Sequence, residues 1–124
     1  MTYTIDITPE EYKNILYKAI EDKLVPSLNE NGMCAYRGKN GTKCAVGLLI
    51  PDEEYDKSIE SNSIRDLIIQ EKIKAANDQL EQLLYDVQKT HDNLAVYIGN
   101  TITEEEFYKE FKKKIDEIFE KYLN

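Results

Sequence analysis

From Asp52 to Ile98 the chain contains neither glycine nor proline. Those residues are the strongest interrupters of regular structure, so helix is permitted through most of this span. Ile73, Ala76, Leu80, Leu83, Leu84, Val87, His91 and Leu94 recur at helical spacing. Ile64, Leu67 and Ile68 mark the apolar face of a segment that Ser63 can start. Residues 63–95 therefore read either as one long helix or as two with a break near Glu71. Two other helices announce their starts. Thr8-Pro9-Glu10-Glu11 and Thr103-Glu104-Glu105-Glu106 both place a hydroxyl at the cap and a glutamate three residues on. Such a pair satisfies two orphan amides reciprocally. Tyr12, Ile15, Leu16, Ala19 and Ile20 then form one stripe, and Phe107, Phe111, Ile115, Ile118 and Phe119 another.

The segment Met33–Leu49, MCAYRGKNGTKCAVGLL, has a different character. Asn40-Gly41 is the strongest short hairpin signal, because both residues accept positive φ at little cost. Met33–Arg37 and Lys43–Leu48 read as the two arms. Residues 3–7 alternate apolar and polar and read as a short strand or an extended lead-in, and Ala95–Ile98 is a candidate third strand. The expected fold is α+β and mostly helical, with four or five helices around one antiparallel β-hairpin or small sheet. A lone hairpin is marginal in water, so a homodimer is one way to cover it. With 124 residues, residues 1–124 are one domain's worth.

The net charge is −8, which disfavours direct nucleic-acid binding, since phosphate contact requires a basic surface. It suits docking on a basic partner. No apolar run approaches the length of a membrane span, and no basic-then-apolar leader precedes the first helix. A cytoplasmic location is expected, without membrane contact.

Against the acidic background, the turn carries Arg37, Lys39 and Lys43. With backbone amides exposed between Gly38 and Gly41, it is a candidate contact for an anion or an acidic surface. Nine tyrosines are present, a residue suited to interfaces. Tyr36 and Tyr55 flank the turn, so the candidate partner-binding or ligand-binding residues are Tyr36, Arg37, Lys39, Lys43 and Tyr55. The opposing reading is a solvated turn whose lysines protect a strand edge. Cys34 or Cys44 could pair with His91, the single histidine, as nucleophile and base, but no spacing places them together. His91 lies on an apolar stripe and reads as a satisfied core-edge residue. Cys-x-x-Cys spacing is absent, so no zinc site, no cofactor and no enzymatic activity are expected.

Cys34-Ala-Tyr-Arg37, Gly41, Lys43-Cys44-Ala-Val-Gly47, Leu49-Ile-Pro-Asp52 and Tyr55, with the later Gln88 and His91-Asp92, resemble a group of short phage and prophage proteins. About a quarter of the chain carries the match closely. The resemblance names no activity; it implies a viral or prophage origin and a bacterial cytoplasm as the place of action. Two functional classes follow as expectations. One is a small acidic accessory protein that binds a host protein, in the manner of counter-defence inhibition of a nucleic-acid-handling or immune protein. The other sequesters a small anionic, nucleotide-like ligand at the basic turn. A Cys/His enzyme ranks below both.

Overall fold

A computed structural model describes residues 2–98 and 100–123. Its elements are β1 (Tyr3–Ile5), α1 (Pro9–Glu21), α2 (Ile64–Ile69), β2 (Ile73–Ala75), α3 (Asp78–Ala95) and α4 (Glu104–Leu123). Both expected capping boxes form. The Thr8 hydroxyl accepts from the Glu11 amide while the Glu11 carboxylate accepts from the Thr8 amide. Thr103 and Glu106 repeat the arrangement before α4. Residues 63–95 form two helices. Glu71 has φ +59°, a left-handed conformation that ends α2, and Asn77 caps α3 by accepting from the Leu80 amide.

The helices pack through the stripes that define them. α4 lies against both α1 and α3. Tyr12, Leu16, Leu83, Leu84, Val87, Phe107, Phe111, Ile115 and Phe119 are all buried between them. The Tyr12 and Phe119 rings meet edge to face at 5.9 Å. The Tyr12 hydroxyl donates to the Ala45 carbonyl at 2.8 Å, which ties the aromatic core to the long irregular segment between α1 and α2, which holds only short 3-10 turns.

The antiparallel hairpin does not form. Among the described residues the sheet has two strands, β1 and β2, which pair in parallel with Tyr3 opposite Ile73 and Ile5 opposite Ala75. The α+β class and the helical content stand; the β-hairpin is replaced by this parallel pair. Ile73, which fits the helical stripe on paper, is a strand residue. The physical reason for the lost hairpin lies in where the arms' amides go. Ala35 donates to Ser27, Lys39 to Leu28 and Lys43 to Leu24. Tyr36 and Arg37 donate to the Glu60 carboxylate, and Val46 donates to the Gln88 side chain. Between the arms only isolated pairing remains, Arg37 opposite Lys43, with the Gly38 amide donating to the Thr42 carbonyl at 2.9 Å. Asn40 and Gly41 do take positive φ, 60° and 75°, but within a single 3-10 turn over Lys39–Gly41. Past Lys43 the chain coils again, with a 3-10 turn at Gly47–Leu49. Of the Ala95–Ile98 run, Ala95 ends α3 and Val96 and Tyr97 turn, apart from one isolated bridge between Ile98 and Ile102.

Candidate functional site

Four of the five predicted site residues converge, but they face inward. The Arg37 side chain is 16% exposed and reaches under the turns that follow it. Its Nη1 donates to the Gly47 carbonyl at 2.8 Å, its Nη2 to the Ile50 carbonyl and to Asp52, and its Nε to Asp52. The guanidinium also sits 4.9 Å from the Tyr55 ring centroid, a cation–π distance. Lys43 pairs with the same Asp52 carboxylate at 3.6 Å. Gly47 is required for this packing, because a Cβ there would lie 2.4 Å from the Tyr36 carbonyl oxygen.

Glu60 organises the other side. Its two carboxylate oxygens accept from the backbone amides of Tyr36 and Arg37 at 2.9 and 3.1 Å, and from the Tyr55 hydroxyl at 2.6 Å. The Tyr36 hydroxyl donates to the Asn62 carbonyl at 2.6 Å. Burial, reinforced by the Glu60 carboxylate, pushes the Tyr55 phenol up to about 12. Lys39 stands apart, exposed and without an ion pair among the described residues. The basic turn of the sequence is therefore one solvent-facing lysine beside two cations bound to Asp52.

Behind this assembly lies a cavity of about 240 Å³, lined by Cys34, Tyr36, Cys44, Asn62, Gln88 and Asp92 among others. α3 supplies its polar wall. Gln88 is 7% exposed; its Oε1 accepts from the Val46 amide at 2.8 Å and its Nε2 donates to Asp92 Oδ1 at 2.8 Å. His91 is fully buried. Its Nε2 accepts from the Ser27 amide at 3.1 Å, and its Nδ1 lies 2.9 Å from Asp92 Oδ1. Because Nε2 is an acceptor, the neutral ring carries its proton on Nδ1 and donates it to Asp92. The rings of Phe107 and Phe111 meet the imidazole edge on at 5.9 and 6.0 Å. His91 is thus the satisfied histidine that the stripe implies.

Both cysteines are free thiols. Cys44 is buried and accepts from the Gly47 amide at 3.4 Å. Cys34 is half-buried, with its sulfur 3.8 Å from the Asp92 carbonyl oxygen. Burial pushes each thiol up to about 12, so neither is a ready thiolate nucleophile.

The expectation of no enzymatic or metal chemistry is corrected here. Cys34, His91 and Asp92 bring one ligand atom each within 4.8 Å of one another, a grouping with metal-binding and hence catalytic potential. Sequence spacing concealed it, since Cys34 is 57 positions from His91 (91 − 34). Glu60 and Ser27 have no signal in the sequence, and Asp52 stands out only within the phage resemblance. His91 was visible on its stripe and as the single histidine, whereas Gln88 and Asp92 were visible only as part of the phage resemblance.

No protein-family model matches the chain, and no curated protein or solved structure matches it. Among the described residues, no helix is long and apolar enough to cross a membrane.

Proposed function

We propose that the chain acts by binding a host protein in the bacterial cytoplasm, as a small phage-type accessory factor of the counter-defence kind. The observation that carries this reading is a set of exposed large apolar side chains, three of them near the C-terminal end of α3. Met33, Val96 and Tyr97 are 60%, 54% and 52% exposed. Met33 adjoins Cys34, whose sulfur approaches the Asp92 carbonyl, and the same carbonyl accepts from the Val96 amide. The three side chains therefore belong to one region of an acidic molecule. Exposed large apolar groups rimmed by polar residues are a common mark of protein contact, and the charge of −8 favours a basic partner.

The alternative, capture of a nucleotide-like anion at the basic turn, has less to draw on, because Arg37 and Lys43 are already engaged by Asp52. Affinity capture from bacterial lysate with the parent chain and with a Met33→Ser/Val96→Ser/Tyr97→Ser variant tests the reading. A host protein retained by the parent and lost by the folded variant is expected. An identical set of captured proteins from both would overturn it.

A further inference from the structure

We propose that Cys34, His91 and Asp92 form a site for a zinc-class divalent cation, with a fourth coordination position open to the adjoining cavity. The donor set is one sulfur, one imidazole nitrogen and one carboxylate oxygen. That combination suits zinc, and three protein ligands with one open position is the pattern of reactive rather than purely structural sites. Bonds of about 2.0–2.3 Å in a tetrahedron separate the ligand atoms by roughly 3.3–3.7 Å. The observed atoms lie within 4.8 Å of one another, and the tightest known pair, His91 Nδ1 and Asp92 Oδ1, is at 2.9 Å. Side-chain shifts of a few tenths of an ångström to about one ångström would bring them onto one ion.

The surroundings fit the role. Asp92 Oδ1 takes both Gln88 Nε2 and His91 Nδ1, whereas no protein hydrogen bond reaches its Oδ2 among the described residues. Gln88 thereby orients the carboxylate in the way supporting residues orient metal ligands elsewhere. A divalent ion with one thiolate, one carboxylate and a neutral imidazole carries no net charge, which lowers the cost of holding it in a half-buried pocket.

The protons balance simply. The Cys34 thiol gives its proton to solvent. The ion takes the place of the His91 Nδ1 proton, and the neutral ring carries its proton on Nε2 instead. Nε2 then becomes a donor and can no longer accept from the Ser27 amide. Ser27 Oγ is buried and has no hydrogen-bond partner, and it belongs to the residue that already faces Nε2. Under the proposal Ser27 Oγ turns to accept from Nε2–H, and the Ser27 amide, having lost Nε2 as its acceptor, turns away from the ring. One proton is released per ion bound.

Titration of the EDTA-stripped protein with Co²⁺ tests the proposal. The expected result is one equivalent bound, with a near-ultraviolet sulfur-to-cobalt charge-transfer band that Zn²⁺ abolishes by displacement. Cys34→Ser should lose that band, Asp92→Asn should weaken binding at least tenfold, and Cys44→Ser should keep both band and affinity. Asp92→Asn retains the acceptor for His91 and Gln88, so it should fold, and far-ultraviolet circular dichroism checks this. Ser27→Ala should bind Co²⁺ several-fold more weakly without a lower melting temperature; unchanged affinity would overturn the tautomer exchange. The site itself is overturned if the folded parent chain shows no charge-transfer band at millimolar Co²⁺, or if the band survives Cys34→Ser.

Discussion

Arg37 and Lys39 are neighbours across one glycine and carry the same charge, yet they have opposite fates. The Arg37 guanidinium satisfies the carbonyls of Gly47 and Ile50 and holds Asp52, whereas Lys39 points to solvent. Removing this charged donor leaves the part-buried Ile50 carbonyl without a partner and the Gly47 carbonyl with only the Ile50 amide, and such a loss is expensive. Arg37→Ala should therefore lower the unfolding free energy by about 2–4 kcal/mol. Lys39→Ser should change it by less than about 0.5 kcal/mol, as surface substitutions generally do. Urea denaturation measures both, and equal effects would show that Arg37 is not a structural clamp. The result also bears on any assay of the basic turn. A triple replacement of Arg37, Lys39 and Lys43 would confound loss of binding with loss of fold, whereas Lys39→Ser alone would not.

At the scale of elements, α3 holds the irregular segment in place through a few side chains. Gln88→Met keeps the volume but removes the acceptor of the Val46 amide, which is buried. It should cost about 1–3 kcal/mol. Hydrogen exchange at the Val46 amide should accelerate more than exchange within α3, and uniform acceleration would count against a local tie. The helices were legible in the sequence because capping is local chemistry: Thr8 finds Glu11, and Thr103 finds Glu106, three residues away. The break at Glu71 was one of two readings that the sequence left open; the positive φ of Glu71 and the Asn77 cap decide it. The turn was half legible. Asn40 and Gly41 adopt the positive φ that their side chains permit, but a turn does not determine where its flanking amides go. Those amides are captured by Leu24, Ser27, Leu28 and Glu60, and no periodicity records such partners. β1 and β2 are three residues each, too short for alternation to separate Ile73 from a helical stripe. For the site, Tyr36, Arg37, Lys43 and Tyr55 were legible as a group. Asp52 and Glu60, which gather them, were not, because an acidic residue in a loop has many equivalent readings.

The molecule as a whole protects its acidic hydrogens. Burial pushes the Cys34 and Cys44 thiols from an ordinary 9.0 up to about 12. Burial first, then a neighbouring carboxylate, raises the Tyr17, Tyr55, Tyr108 and Tyr122 phenols from 10.0 to about 12. Tyr12 and Tyr36 are raised as well, also chiefly by burial. Between the ordinary and the raised values, the unfolded chain binds fewer protons than the folded one. Stability must then fall as pH rises. This contribution is fully present below pH 9 and is lost progressively towards pH 12. Thermal melts should show little thiol- or phenol-linked change from pH 7 to about 9 and a steep decline above that; a melting temperature level to pH 11 would contradict it. The parallel pair of β1 and β2 has a consequence of another kind. Tyr3 meets Ile73, a separation of 70 positions (73 − 3), so α1, the irregular segment and α2 all lie inside the loop that this contact closes. Long-range closure slows folding relative to a bundle built from local contacts. During synthesis β1 emerges before β2, and its partner does not exist until residue 75 has been made. That strand must wait, with its edge unpaired, while the 70 residues from Ile5 to Ala75 (75 − 5) are added.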